Sequence, residues 1–595
     1  MRVTASNLNE VVSKLSLAGF LSLDTETTGL TETDRPFAFI IADAETEYYF
    51  DKRSIGLGPH QLDKVREVLS PQGRVWFLQN AKFDMRMISY LDLTIYGKIY
   101  DLTSMARLVK NNHMLYNLDS QAKRYGMQKG GDAIKAYIKE HNLYSVRKDF
   151  FGVEYKNPQY DQVPMDVMEP YATMDARITY DLGMTYLRVL NGTRSMDVMK
   201  NEAALIKVCY DMERRGLLLN KQYTMQARYH EMDLLQDVKN RYEALTGTKL
   251  VDSAKAFQKV IGDAYTLPKT AKGSPSLDKN AIVTVLVEAP DNVKELARLI
   301  KEHRYYEKRI STYYDGYLNA IDSGGVVHPS MWQAGTSTGR FSYSNPNLQN
   351  IPKEKKSKEP YVIRGCFVPR PGRVFVSFDY AQMEYRLMAA YANEQEIIRR
   401  VMGGEDFHEV AAELFGVERD PAKTLNFAVL YGAGDEKLAV MLGVSLKEAK
   451  QLRLKYFMAL SKVETLIEQI KRTGKVRGYV TNWFGRNLYA DPQHVYALPN
   501  HLIQSGGADV VKLAMVQIAA ELPQIPMVLQ VHDQLVFEVA PHQFGYLSRI
   551  QEIMESAFPP MNGMALKVDV EWSDKSLAVR DMVKGFPDGR HQETN

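Results

Sequence analysis

Two short apolar runs that stop at carboxylates constrain this chain more than any other feature. Phe20-Leu21-Ser22-Leu23 leads into Asp24-Thr25-Glu26, and Val374–Phe378 leads into Asp379. Apolar runs of this length read as strands, and along a strand residues two apart share a face. Asp24 and Glu26 therefore point the same way from the carboxyl end of an expected parallel strand. Two like charges held together there are unfavourable unless a cation lies between them. The plain alternative for a lone acidic pair is a solvated turn. Asp533 raises the same question, because His532-Asp533 sits near the turn between the strand-like runs Met527–Val531 and Leu535–Val539. With Asp379 it could form a metal-holding pair, or the two could be unrelated surface acids; spacing alone does not join them.

Size and charge narrow the class. At roughly 150 residues per domain, a chain of 595 residues is expected to hold several domains. Lys+Arg total 75 and Asp+Glu 72, a net of +3. Any nucleic-acid surface must then be a local patch whose affinity falls steeply with salt. Two cysteines, Cys209 and Cys366, exclude a disulfide framework and a cysteine-based zinc site and suit a reducing compartment. The opening MRVTASNLNEVV lacks a signal-peptide core and no run of 18 apolar residues occurs. A soluble cytoplasmic protein, without membrane partners and acting as a monomer, is expected.

The first third alternates strand-like runs (Phe20–Leu23, Ala38–Ile41, Val75–Leu78) with helical patterns such as Gln61–Leu69, an α/β texture. A polar stretch near Gly130–Pro164 reads as an excursion from it, and residues from about 195 to 320 turn helical. In Asp291–Ile310, Lys294, Arg298, Lys301, Arg304 and Lys308 recur at spacings of three and four, opposite Val293, Leu296, Ala297 and Ile300. That is a solvated helix face or one that rests on phosphates. From about 323, strand-like runs bracket a long helical region over 406–475, and Lys353–Lys358 reads as a solvated loop.

Two further segments join the first acids. Asn80-Ala81-Lys82-Phe83-Asp84 adds a carboxylate, and Tyr171-Ala172-Thr173-Met174-Asp175 places Tyr and Asp four apart on one helix face. Each motif alone is common, but in this order the trio resembles the DEDD-type 3′–5′ exonucleases, in the variant with tyrosine, over about residues 1–190. The resemblance implies an RNase H-like domain in which Asp24, Glu26, Asp84 and Asp175 hold two divalent metals and Tyr171 orients the attacking water. Hydrolysis of a phosphodiester needs an activated hydroxide and a stabilised leaving oxygen, which two ions about 3.5–4 Å apart provide. Hard oxygen ligands select Mg²⁺ or Mn²⁺.

The segment Arg419-Asp420-Pro421-Ala422-Lys423 predicts a helix start, with Asp420 as N-cap and Pro421 in the first turn. Cations at a helix N-terminus are locally unfavourable and become favourable if a polyphosphate docks there. Arg419, Lys423, Phe427 and Tyr431 recur every four residues and so form one slowly winding stripe. The aromatic part could equally be an ordinary core stripe; the misplaced cations favour a functional one.

These residues resemble motifs A, B and C of family A DNA polymerases: Asp379-Tyr380-Ala381-Gln382-Met383-Glu384-Tyr385-Arg386, then Arg419-x3-Lys423-x3-Phe427-x3-Tyr431-Gly432, then Val531-His532-Asp533. Thr338-Gly339-Arg340, Pro346–Pro352, Gly478-Tyr479-Val480, Phe484-Gly485-Arg486 and Asn500 with Gln504 support the match over about 320–540. The resemblance implies a right-hand fold, α/β and α+β overall. Its expected parts are the exonuclease domain over 1–190, a helical thumb over 191–322, palm over 323–405, fingers over 406–499 and palm again over 500–595.

By the same resemblance Asp379 and Asp533, with the Tyr380 carbonyl, hold two catalytic Mg²⁺ or Mn²⁺ ions. One lowers the pKa of the primer 3′-hydroxyl and the other stabilises pyrophosphate departure. Arg419 and Lys423 grip the incoming deoxynucleoside triphosphate, and closure of their helix selects the correct pair by induced fit. Gln382 and Tyr431 lie near the nucleotide, Glu384 blocks a ribose 2′ position, and Arg340, Asn500, Gln504 and His532 track the primer–template, or are surface polar residues. Two departures stand out: Gln534 where the family usually has Glu, and Tyr496 where the bacterial enzymes have Arg. With the first motif at residue 24, a chain without a 5′ nuclease, resembling a phage replicative enzyme in a host cytoplasm, is expected.

The leading reading is a template-directed DNA polymerase with a proofreading exonuclease. An exonuclease whose polymerase half only binds DNA, a non-catalytic replication scaffold and a single-subunit RNA polymerase are the alternatives; the intact acids and cations, and Glu384, disfavour them. Phe427 implies discrimination against dideoxynucleotides, because a tyrosine hydroxyl there would replace the missing 3′-hydroxyl. Phe427→Tyr is expected to relax it. Comparable use of dideoxy and deoxy substrates by the unaltered chain would contradict this.

Overall fold

The computed structural model describes residues 1–56, 58–128, 132–354 and 359–589. The apolar runs of the first third form a five-stranded sheet of β1 (Phe20–Thr27), β2 (Pro36–Ala42), β3 (Glu47–Asp51), β4 (Val75–Leu78) and β5 (Lys98–Asp101), in the order β3-β2-β1-β4-β5. β1, β4 and β5 are parallel, whereas β2 and β3 join antiparallel. Strand periodicity sorts the side chains. Leu21, Leu23, Phe39, Ile41 and Trp76 enter one core, with Val11, Leu15, Val65 and Leu69. Ala38, Ile40, Phe77 and Tyr100 enter a second, on the opposite face. Helices α1 (Ala81–Ser89), α2 (Leu102–Val109) and α3 (Met165–Leu190) complete this unit.

The expected excursion is a helix, Asp132–Glu140, followed by an antiparallel hairpin of β6 (Tyr144–Lys148) and β7 (Glu154–Pro158). Its residues 129–131 lie outside the described residues, as do 355–358 of the expected Lys353–Lys358 loop. The helical stretch follows: α4 (Ser195–Arg215), α5 (Lys221–Thr246) and α6 (Asp291–Lys308). On α6, Val293, Leu296, Ala297 and Ile300 are buried while Arg298, Lys301 and Lys308 are exposed, the amphipathic split the spacing requires.

A second five-stranded sheet builds the C-terminal half: β8 (Val374–Tyr380), β9 (Met527–Val531), β10 (Gln534–Val539), β11 (Val568–Ser573) and β12 (Val583–Lys584), in the order β9-β10-β8-β11-β12. Central β8 is antiparallel to both neighbours and anchored by fully buried Phe375, Val376 and Phe378. Around the sheet lie α7 (Met383–Ala392), α8 (Phe407–Phe415), α9 (Arg419–Leu430) and α10 (Leu498–Glu521). Helix α9 begins two residues earlier than expected. Glu418 occupies the N-cap with no side-chain hydrogen bond, and Asp420 lies inside the first turn, where its charge complements the helix dipole. No helix among the described residues is long and apolar enough to cross a membrane.

Four buried charges tie the helical stretch to α10 and to the turn that carries Arg486. Glu202 on α4 receives Arg486 at 2.6 Å and Lys512 of α10; Arg486 also donates to Asp509 at 2.6 Å, and Asn482 donates to Asp509 at 2.7 Å. The two acids and two cations compensate one another, so the cluster holds only while complete. Glu202→Ala strips Lys512 and Arg486 of a shared partner and is expected to cost about 3–5 kcal/mol. It should lower the denaturant midpoint clearly; an unchanged midpoint would show that the cluster does not join these elements.

Candidate active sites

The first site grows from the periodicity of β1. Ser22, Asp24 and Glu26 alternate with the buried Leu21 and Leu23, and the Ser22 hydroxyl donates to the Ala176 carbonyl of α3 at 2.7 Å. That bond fixes the acids against the helix carrying Tyr171 and Asp175. β1 carries both acids at its carboxyl end. It runs on to Thr27, with Asp24 opposite Ile40 and Glu26 opposite Ala38. The parallel partner β4 is what ends, its last pairing being Ser22 with Phe77. The acids thus sit where a neighbour is missing, which leaves room above the sheet.

Burial, and then the charges of Asp175, Glu26 and Asp24, raise the Tyr171 phenol, so it keeps its proton while facing three carboxylates. Burial and the Asp24 charge hold Asp84 well above the usual carboxylate range. Its Oδ1 accepts the Thr25 hydroxyl at 2.6 Å, whereas buried Oδ2 has no hydrogen-bond partner. The structure therefore brings Asp24, Glu26, Asp84, Tyr171 and Asp175 together. Thr25 was missed in the sequence; its place between two acids was the only signal.

The second site follows from strand register. In the antiparallel pairing of β8 with β10, Asp379 lies opposite Gln534, and the Tyr380 N–H donates to the Asp533 carbonyl at 3.3 Å. Asp533 and Asp379 are thereby neighbours across one ladder. The hairpin turns through His532, whose φ of 56° is the left-handed conformation. On the other flank Asp379 faces Asp569. Burial and then the Asp533 charge raise Asp379 to about 6, with Lys353 opposing from 3.5 Å; burial raises Asp533 as well. Gln534 donates to the Ser377 hydroxyl at 2.6 Å, and its buried Oε1 has no hydrogen-bond partner. A glutamate there would add another like charge directly across from Asp379.

Helix α9 carries its stripe outward. Arg419 and Lys423 are exposed, and Phe427 and Tyr431 are 37% and 45% exposed, so the aromatics are not a core stripe. Asp406 joins this helix to the N-cap of α7, just past β8: it accepts Gln382 at 2.6 Å and Arg419 at 3.3 Å. Phe427 packs edge-on against Tyr385 at 5.4 Å, and Gln504 donates to the Tyr431 hydroxyl at 3.4 Å. Glu384 is paired with Arg340. Asn500 is no surface residue; it is 7% exposed, and its Nδ2 has no hydrogen-bond partner. Asp406 and Asp569 were not singled out in the sequence, and Lys353, read there as part of a solvated loop, lies 3.5 Å from Asp379.

Both clusters suit a hard divalent cation. Each gathers oxygen donors of like charge under burial, an arrangement that a bound cation relieves, and Asp84 offers a buried oxygen lacking a partner.

Comparisons with known proteins agree with this geometry. The family model described as DNA polymerase family A matches residues 221–576, and one described as 3′–5′ exonuclease matches residues 2–188. DNA polymerase I of Chloroflexus aurantiacus is 28% identical over 610 residues, covering 96% of this chain and 63% of that protein. The thermostable DNA polymerase I of Thermus aquaticus is 31% identical over 397 residues, covering 62% of this chain and 46% of that protein. The chain thus spans less than two thirds of the length of these relatives. Among solved structures, the POL domain of Pol1 from M. smegmatis, in complex with DNA primer-template and dNTP, superposes with a TM-score of 0.81 at 23% identity. It covers 97% of this chain and 99% of that one.

A carboxyl raised to about 6 binds its proton more tightly in the folded than in the unfolded chain. Stability therefore falls as pH rises from the ordinary carboxylate value towards about 6, and the penalty stays above it. Asp533→Asn removes part of that penalty. In a chelator, the variant is expected to melt above the parent at about pH 8, with the difference vanishing near pH 4, where Asp379 is protonated in both. A difference independent of pH would contradict the pairing.

Proposed function

The chain belongs to DNA polymerase family A, with a 3′–5′ exonuclease domain ahead of the polymerase domain, and on that premise we propose that it is a template-directed DNA polymerase that proofreads its own product. The observation that carries this reading is the convergence of Asp379 and Asp533, with Arg419 of α9 linked through Asp406 to Gln382 in the turn that follows the Asp379 strand. Its substrates are a primer–template and deoxynucleoside triphosphates. The proposed division is exonuclease over 1–190, thumb over 191–322, palm over 323–405 and 500–595, and fingers over 406–499.

Asp379, Asp533 and the Tyr380 carbonyl would hold Mg²⁺ or Mn²⁺ at one site, and Asp24, Glu26, Asp84 and Asp175 at the other. When bound, such ions acidify the attacking hydroxyl or water and stabilise the departing oxygen. The chain's own residues do the positioning. Arg419 and Lys423 bind the triphosphate as paired cations; to do so Arg419 exchanges Asp406 for phosphate, which couples nucleotide arrival to movement of α9. Phe427 and Tyr431 form the wall beside the sugar and the base. Glu384, steadied by Arg340, occupies the space a ribose 2′-hydroxyl would need. Gln382 keeps Asp406 in place, and Asn500, Gln504 and His532 line the duplex near the primer end. In the exonuclease site the protonated Tyr171 orients water towards the scissile phosphate.

Two variants separate the activities. Asp24→Ala is expected to abolish 3′–5′ degradation of a labelled primer while leaving extension intact, and Asp533→Ala to do the reverse. Loss of both activities in either variant would mean that the roles are misassigned. Extension with ribonucleotides as fast as with deoxynucleotides would remove the role given to Glu384.

A further inference from the structure

A cluster on α6 is used by neither site. His303 lies in the second half of the helix and is 5% exposed. Glu307 follows one turn later on the same face, its carboxylate 3.7 Å from His303 Nδ1. Asp252 comes from a separate segment, the loop that leads into the helix Ala254–Ile261. One ligand atom from each of the three lies within 4.8 Å of the others.

The independent observation is His303 itself. Its Nδ1 is buried and has no hydrogen-bond partner, although buried polar atoms are nearly always satisfied. This nitrogen faces Glu307 at 3.7 Å, and a ring nitrogen of His303 lies within 4.8 Å of an Asp252 oxygen. Arg304 meanwhile grips Asp252 with two hydrogen bonds, of 2.7 and 2.6 Å. That grip orients the carboxylate and leaves each oxygen a second lone pair.

We propose that Asp252, His303 and Glu307 form a third metal site, which takes a nitrogen-accepting divalent ion of the zinc or cobalt class. The donor set decides the class: an imidazole with two carboxylates suits zinc, cobalt or nickel, whereas magnesium prefers an all-oxygen octahedron. Three protein ligands leave one position of a tetrahedron to water. Drawing the three together closes the Asp252 loop onto α6, so the ion acts as a staple between segments distant in sequence. Of the cations on α6, Arg304 is the one that holds Asp252, whereas Arg298, Lys301 and Lys308 are exposed.

Equilibrium dialysis of the full chain against Zn²⁺, with excess Mg²⁺ to fill the oxygen-ligand sites, tests the proposal. His303→Asn and Glu307→Gln are each expected to retain one zinc fewer per chain than the parent. The zinc-dependent rise in melting temperature should disappear with it. Co²⁺ should give visible ligand-field bands of a four-coordinate site in the parent and not in the variants. Equal zinc retention by parent and variants would overturn the site, as would bands that persist in the variants. Should His303→Asn fail to fold, Glu307→Gln decides, because that side chain is 56% exposed.

Discussion

Antiparallel register between β8 and β10 is the constraint on which the rest depends. Once Phe378 is opposite Leu535, Asp379 must lie opposite Gln534, and the turn before Gln534 has no place to put Asp533 except beside Asp379. A slip of one residue would turn the acids to the other face and expose the apolar side chains that hold β8 in the core. The buried Phe375, Val376 and Phe378 thus keep two like charges together that would otherwise separate. Burial, and then the Asp533 charge, hold the Asp379 carboxyl above its ordinary range, the electrostatic cost of that enforced contact.

The same trade recurs around the sheet. Acids are crowded at Asp379 and Asp533, and compensated in the buried cluster beside α10. In the buried cluster of Glu202, Arg486, Asp509 and Lys512 each charge has an opposite neighbour. At Asp379, by contrast, the opposing charge is the exposed Lys353. Asp406 mediates between these extremes, since it holds Arg419 in a position from which a phosphate could take it. Gln534 fits this pattern: its amide satisfies Ser377 without adding a charge across from Asp379.

Much of this was legible in the chain. The alternation of apolar residues located β1, β2, β4, β8, β9 and β10, because strands buried on one or both faces write their period directly into the sequence. The stripe Arg419, Lys423, Phe427, Tyr431 was correctly read as one helix face. What escaped was non-local or set by neighbours. The cap of α9 went to Glu418 although Asp420 has the better intrinsic preference. Lys353, Asp406 and Asp569 enter the site only through tertiary contact. Asn500, read as a residue that tracks the primer–template or else as a surface amide, is buried in α10.

The most direct test of the central claim is a crystal structure of the chain with primer–template, an incoming deoxynucleotide and Mn²⁺, read by anomalous scattering. The account requires a manganese peak ligated by both Asp379 and Asp533. Manganese bound to only one of them, or the two carboxylates turned apart with no ion between, would contradict it.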